Sequence, residues 1–127
     1  MSRILIIDDD EAVRRTIKIM LDASGFESVA VADGKAGVEA LKQGVFDLAI
    51  VDLFMPGMDG LTTTKALHQV NARLPVIAVS GFLHGQGSTM PNFQPMATEA
   101  GAVSTLYKPF RPAELVEAIR KALAVAA

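Results

Sequence analysis

The sequence predicts an α/β fold in which a parallel β-sheet is covered by helices on both faces. Short aliphatic runs alternate along the 127 residues with segments whose apolar positions recur at helical spacing. The run "ILII" (4–7) is continuously apolar, as expected for a strand that is buried on both faces. The length is close to the commonest size of a single domain, so we expect one hydrophobic core.

The first half of the chain contains three predicted strands, at residues 4–7, 28–32 and 47–51. The helix after the first strand extends from Asp10 to Ser24, and Gly25 stands where a helix C-cap commonly falls. Its apolar stripe consists of Val13, Ile17, Met20 and Leu21. A short helix over 35–43 ends before Gly44, and a third helix over 61–70 follows the loop "FMPGMDG".

The second half of the chain adds strands at 75–79 and 103–107 and a last helix at 112–124. That helix begins at Pro112, a residue favoured in a first turn, and carries an i, i+4, i+8 apolar stripe. The intervening segment "GFLHGQGSTMPNFQPMATEAGA" is rich in Gly and Pro. We therefore expect a loop through about Gln94 and only a short fourth helix near 95–100.

Composition excludes several classes of protein. The net charge is −2 and the basic residues are scattered, which argues against direct binding of nucleic acid. The absence of Cys excludes disulfides and thiolate metal sites. No apolar segment approaches the ~20 residues that a membrane span needs. We expect a cytoplasmic protein that does not contact a membrane.

Chemically useful side chains follow four of the five predicted strands: Asp8 and Asp9, then Asp52, Ser80 and Lys108. The carboxyl ends of parallel strands share one edge of the sheet, where α/β proteins bind ligands. Clustered carboxylates without His or Cys suit Mg²⁺ rather than Zn²⁺. A lysine and a hydroxyl fit the remaining oxygens of a phosphoryl group, and one carboxylate is left as a nucleophile.

Some of these residues also have plainer interpretations. Taken alone, Asp52 is as consistent with a structural role in a turn or an Asx cap as with a role as nucleophile. We assign Asp10 and Glu11 to the start of the following helix, where its dipole favours acids. His68, in a predicted helix, is expected to be a surface residue rather than a ligand, and His84 has no visible partner.

Four motifs, "ILIIDDDEAVR", "DLAIVDLFMPGMDG", "PVIAVSG" and "YKPF", together resemble the CheY-like receiver domain of two-component response regulators. The resemblance covers nearly the whole chain. It implies a flavodoxin-like, doubly wound, five-stranded parallel sheet of order 2-1-3-4-5 with a shortened or irregular fourth helix. It also implies that residues 1–127 form a single receiver domain with no output domain.

The resemblance implies a role for each site residue. Asp52 would accept a phosphoryl group from a histidine kinase or a histidine phosphotransfer protein. Mg²⁺ would be held by Asp9 directly, by Asp8 mainly through water, by Asp52 and by the backbone carbonyl of Phe54. Lys108 would pair with the phosphoryl group and with Asp52, and the Lys108–Pro109 bond would be cis. Ser80 would move toward the phosphoryl group and change binding of an unknown output partner through residues 80–108.

The sequence departs from the family in two places, and two large apolar residues stand near the proposed phosphoryl site. Thr105 stands where the family usually has an aromatic ring, and we expect Tyr107 to have the opposite strand parity and therefore not to replace it. The segment between Ser80 and Lys108 is longer than usual, which suggests an unusual partner surface or a loop that becomes ordered on binding. Phe54 and Phe82 would shield the acyl phosphate from water, so we expect slow autodephosphorylation.

Two other functions fit the sequence less well. A Mg²⁺-dependent phosphatase of the aspartyl-phosphate type is the alternative, but it needs an acid two residues after the nucleophile, where Phe54 stands. A flavin-binding flavodoxin needs a Ser/Thr-rich phosphate loop after the first strand, where this chain has acids. We therefore expect no enzyme activity beyond self-phosphorylation from phosphodonors and slow autodephosphorylation.

Overall fold

In the computed structural model, residues 2–53, 55, 59–80 and 94–126 are described, and within them five strands alternate with five helices. The strands are β1 (Arg3–Ile7), β2 (Glu27–Val31), β3 (Leu48–Asp52), β4 (Val76–Ser80) and β5 (Ser104–Tyr107). The helices are α1 (Glu11–Ala23), α2 (Gly34–Gln43), α3 (Gly60–Val70), α4 (Gln94–Ala100) and α5 (Pro112–Ala126). The predicted elements are therefore present in the predicted order, with ends that differ by one or two residues.

All strand pairs are parallel, and the sheet order is β2-β1-β3-β4-β5, which confirms the predicted topology. β2 pairs with one side of β1, and the chain then crosses over so that β3 pairs with the other side of β1. This reversal opens a crevice at the carboxyl ends of β1 and β3, the usual ligand position in such sheets. No helix in the described ranges is both long and apolar enough to cross a membrane.

Helices cover both faces of the sheet, which explains the continuous apolar runs of its strands. On one face, α1 and α5 pack against alternate residues of the strands, including Ile6, Ile50 and Val79. On the other face, α2 and α3 pack against the remaining strand residues, and a smaller cluster joins Ala78 to Ala97 of α4. The central strands β1, β3 and β4 are almost completely buried as a result.

Aspartates begin three of the helices. The side chain of Asp10 accepts hydrogen bonds from the N–H groups of Ala12 and Val13, and Glu11 lies in the first turn of α1. The same capping arrangement begins α2 at Asp33 and α3 at Asp59. The expectation that Asp10 and Glu11 favour the start of a helix is confirmed.

The fourth helix is short, as predicted, and its C-terminal end packs on a histidine. Gly101 follows α4 with φ +112°, and a Cβ atom there would lie 2.7 Å from the ring of His68. The His68 Nε2 atom lies 2.9 Å from the carbonyl oxygen of Leu74. The ring of His68, which belongs to α3, is therefore half-buried against the turn after α4, and the expectation that His68 is a surface residue is wrong.

The contact between Gly101 and His68 predicts a specific loss of stability. Gly25 and Gly101 both have positive φ, but Gly25 has no atom within 4 Å of a Cβ position. We expect Gly25→Ala to lower the free energy of unfolding by about 1 kcal/mol, the backbone cost alone. Gly101→Ala should cost at least ~1 kcal/mol more, because its φ of +112° lies farther from the left-handed helical region than the +83° of Gly25 and because the hydrogen-bonded ring of His68 must also move. Urea unfolding measures both values, and equal losses would show that the ring yields without cost.

Candidate functional site

Three carboxylates meet at the carboxyl edge of the sheet. Asp8 follows β1, Asp9 begins the loop to α1, and Asp52 ends β3. One carboxylate oxygen from each lies within 4.8 Å of the others. Asp8 and Asp52 are only 2% and 5% exposed, whereas Asp9 is exposed at the mouth of the crevice. The structure thus brings together the three acids that the sequence places at strand ends.

Asp8 is fixed through both of its carboxylate oxygens. Oδ1 accepts a hydrogen bond of 2.9 Å from the backbone N–H of Asp10, and Oδ2 lies 2.7 Å from the Nζ atom of Lys108. The first contact ties the carboxylate to the start of α1, and the second ties it to the end of β5. Asp8 is therefore oriented before any ligand binds.

Lys108 is placed by the strand that precedes it. Its backbone N–H donates a 2.7 Å hydrogen bond to the carbonyl of Ser80, which extends the pairing of β4 and β5. Its Nζ atom lies 3.6 Å from Oδ2 of Asp52, which is farther than its contact with Asp8. The Lys108–Pro109 peptide bond is cis, in agreement with the expectation. The lysine thus bridges two acids, with the shorter contact to Asp8 rather than to Asp52.

Ser80 ends β4 and is completely buried. In the register of β4 with β5, Ser80 lies opposite Tyr107 and Ala78 lies opposite Thr105. Thr105 and Tyr107 are two residues apart, so their side chains share one face of the strand, while Leu106 packs into the core of the other face. The expected opposite parity of Tyr107 is therefore wrong. What distinguishes the two positions is burial, since Tyr107 is 42% exposed and Thr105 is half-buried.

Several predicted features lie outside the described residues. These are the backbone carbonyl of Phe54, the ring of Phe82, the imidazole of His84 and the long loop that follows Ser80. The predictions about metal ligation by Phe54 and about shielding by the two rings therefore stay predictions.

Sequence reasoning missed one contact of the acidic loop. Nη1 of Arg14 donates a 2.8 Å hydrogen bond to the backbone carbonyl of Asp8. The signal available in the sequence is the position of Arg14 in the first turn of the predicted helix. A side chain there points back toward the helix N-terminus and the residues that precede it.

The donor set fits a hard divalent cation. Three carboxylates supply oxygen atoms in a small volume, which matches the ligands that Mg²⁺ prefers. The ammonium of Lys108 contacts two of these acids, and its one positive charge offsets only part of the charge of three carboxylates. The remaining negative charge, and a cluster whose donors among the described residues are all carboxylate oxygens, favour Mg²⁺ over Zn²⁺.

Comparisons with known proteins agree with this geometry. Residues 4–120 match the family model of the response regulator receiver domain. The chain is 40% identical over 122 residues to the chemotaxis protein CheY of Bacillus subtilis (strain 168), covering 95% of this chain and 97% of that protein. The CheY-like receiver domain protein from Methanospirillum hungatei JF-1 has a similar structure, with a TM-score of 0.87 and 28% identity over 99% of this chain and 96% of its own.

A longer relative matches over only part of its length. The DNA-binding response regulator MtrA of Mycobacterium leprae (strain TN) is 31% identical over 121 residues, which is 95% of this chain but 51% of MtrA. The chain thus spans about half the length of that relative, and the DNA-binding activity belongs to MtrA.

The sheet order and the match to receiver domains place the chain in a class of phosphorylation-dependent signalling domains of two-component systems. The chain belongs to the response regulator receiver domain family. Response regulators interact with histidine kinases, so this class of partner follows from the family.

The crowded acids predict that removing a charge stabilises the fold. Within the described residues, the carboxylate of Asp9 has no cation within 4 Å, although it lies close to Asp8 and Asp52. In the absence of divalent cations, Asp9→Asn should raise the free energy of unfolding by about 1 kcal/mol, because like-charge repulsion is relieved. Urea unfolding in a metal chelator measures the change. Glu39→Gln, an exposed acid in the middle of α2, is the control, and an equal gain there would contradict a local cause.

Proposed function

We propose that this chain is a phosphorylation-dependent switch in which Asp52 accepts a phosphoryl group in a Mg²⁺-dependent reaction. The donor is the phosphohistidine of a histidine kinase or of a histidine phosphotransfer protein. The observation that supports this most strongly is the position of Asp52, buried at the end of β3 beside Asp8, Asp9 and Lys108. A buried carboxylate beside a cation and two further acids has the surroundings that phosphoryl transfer needs.

Each group has a defined part in the proposed reaction. A carboxylate oxygen of Asp52 forms the new bond to phosphorus while the bond from phosphorus to the donor nitrogen breaks. The ammonium of Lys108, which lies 3.6 Å from Asp52, stabilises negative charge on the phosphoryl oxygens. Asp8, Asp9, Asp52 and the backbone carbonyl of Phe54 would hold Mg²⁺. The bound metal would neutralise charge on the acids and on the phosphoryl group.

The proposed response to phosphorylation lies in residues 80–108. Ser80 would donate its hydroxyl to the phosphoryl group, and it lies opposite Tyr107 of β5 in the strand pairing. A shift of these two strands would change affinity for an output partner protein that the sequence does not identify. We propose that the chain acts in the cytoplasm as a single receiver domain over residues 1–127, without direct contact to nucleic acid.

Incubation with a small phosphodonor tests this function. With acetyl phosphate and Mg²⁺, we expect a gain of one phosphoryl group by mass spectrometry, and we expect its loss in Asp52→Asn or in a chelator. Asp47→Asn, at the opposite edge of the sheet, is the matched control and should behave like the unchanged chain. Continuous release of phosphate without accumulation of phosphoprotein would instead support the aspartyl-phosphate-type phosphatase.

The contact of Lys108 with Asp8 predicts the effect of this lysine on Mg²⁺ affinity. The ammonium occupies an oxygen of the acidic cluster at 2.7 Å, so it competes electrostatically with a divalent cation. Lys108→Met should therefore tighten Mg²⁺ binding by about three- to tenfold, as measured by isothermal titration calorimetry. Lys121→Met removes a charge from an exposed pair with Glu117 and controls for net charge. Weaker Mg²⁺ binding in Lys108→Met would contradict competition.

A further inference from the structure

Arg14 reaches from the first turn of α1 to the loop that carries the acids. Its backbone N–H donates to the carbonyl of Asp10, which is the first helical hydrogen bond of α1. Its side chain is half-buried, and Nη1 lies 2.8 Å from the carbonyl oxygen of Asp8. That carbonyl belongs to the peptide group that joins Asp8 to Asp9. Arg14 therefore contacts the backbone between two of the acids in the cluster.

With this contact, every polar group of Asp8 has a partner. Its N–H donates to the carbonyl of Val31 at 3.2 Å, and its carboxylate oxygens are held by the N–H of Asp10 and by Lys108. Arg14 holds the remaining group, the backbone carbonyl. Because a peptide group is planar, fixing the carbonyl of Asp8 also fixes the direction in which the chain enters Asp9.

The side chain of Arg14 donates to a backbone carbonyl rather than to a carboxylate. Arg14 lies within six residues of four acids, yet within the described ranges it forms no ion pair with a carboxylate. It donates to a carbonyl, which leaves the carboxylate oxygens available. Its charge is permanent, because a guanidinium is not deprotonated in proteins. The contact thus holds the loop while leaving the acids open to another cation.

We propose that Arg14 is a positioning residue that fixes the Asp8–Asp9 peptide so that the carboxylate of Asp9 faces Asp8 and Asp52, and that it thereby sets the affinity of the cluster for a divalent cation. The part about the cation rests on the proposed function. Groups that orient metal ligands in this way commonly change metal affinity by about 10- to 100-fold when removed.

A purely electrostatic role predicts the opposite sign. Removing a positive charge beside an acidic cluster strengthens cation binding, whereas releasing the Asp8–Asp9 peptide weakens it. Arg15 provides the matched control, because it is adjacent in sequence and carries the same charge. It is exposed and pairs with Glu11 instead of contacting the loop. Arg14→Met and Arg15→Met therefore remove the same charge, but only the first removes the contact.

The experiment measures Mg²⁺ affinity by isothermal titration calorimetry for the unchanged chain and for Arg14→Met, Arg14→Gln and Arg15→Met. Circular dichroism first establishes that each variant is folded. We expect about tenfold weaker binding in both Arg14 variants and a change within about twofold in Arg15→Met. If only one of the two Arg14 variants is folded, the Mg²⁺ affinity of that variant alone decides the test. Unchanged or tighter Mg²⁺ binding in it overturns the proposal.

A second measurement separates this proposal from the proposed function. The backbone N–H of Asp10, which donates to Asp8, should exchange with solvent faster in Arg14→Met than in Arg15→Met when no metal is added, as measured by NMR. Failure of the unchanged chain to bind Mg²⁺ would refute the metal part of the proposed function and leave this comparison intact. Equal exchange rates in the two variants would refute positioning by Arg14 whether or not Mg²⁺ binds.

Discussion

The site depends on one electrostatic arrangement, in which the ammonium of Lys108 offsets part of the repulsion among three clustered carboxylates. A parallel sheet brings the carboxyl ends of its strands to one edge, so residues far apart in sequence are forced into proximity there. Asp8 and Asp52 are buried, where uncompensated charge is costly. The fold tolerates this cost because Asp8 accepts a hydrogen bond from the backbone N–H of Asp10 and because Lys108, which the adjacent strands position, contacts both buried acids.

The lysine also links the acidic crevice to the edge of the sheet. Its backbone N–H is bonded to Ser80, and the residue before it, Tyr107, lies opposite Ser80 in the strand register. The ammonium and the half-exposed ring therefore belong to consecutive residues at the end of one strand. A ligand that draws the ammonium of Lys108 away from Asp8 therefore acts on the end of β5, where the side chain of Tyr107 reaches the surface.

The sequence predicted the fold well because each strand and helix carries its own local signal. Continuous aliphatic runs indicate buried strands, and Asp10 at the start of α1 is a typical helix cap. The acids were predicted to meet because topology alone places strand ends together. The preference of Lys108 for Asp8 was not predictable, because it depends on a difference of about an ångström between two distances. Arg14 and His68 were missed or misjudged because both contact backbone carbonyls, which leave no trace in residue type.

Packed side chains connect the site to α4. Thr105 is half-buried on the face of β5 that Tyr107 shares, and it contributes no ring to this packing. Leu53, the residue after Asp52, lies in a small cluster with Ala78, Ala97 of α4 and Ala102. Gly101, next to Ala102, packs on the ring of His68. A continuous set of packed groups therefore runs from the backbone at Asp52 to the C-terminal end of α4, and among the described residues it includes Leu53, three alanines and the ring of His68.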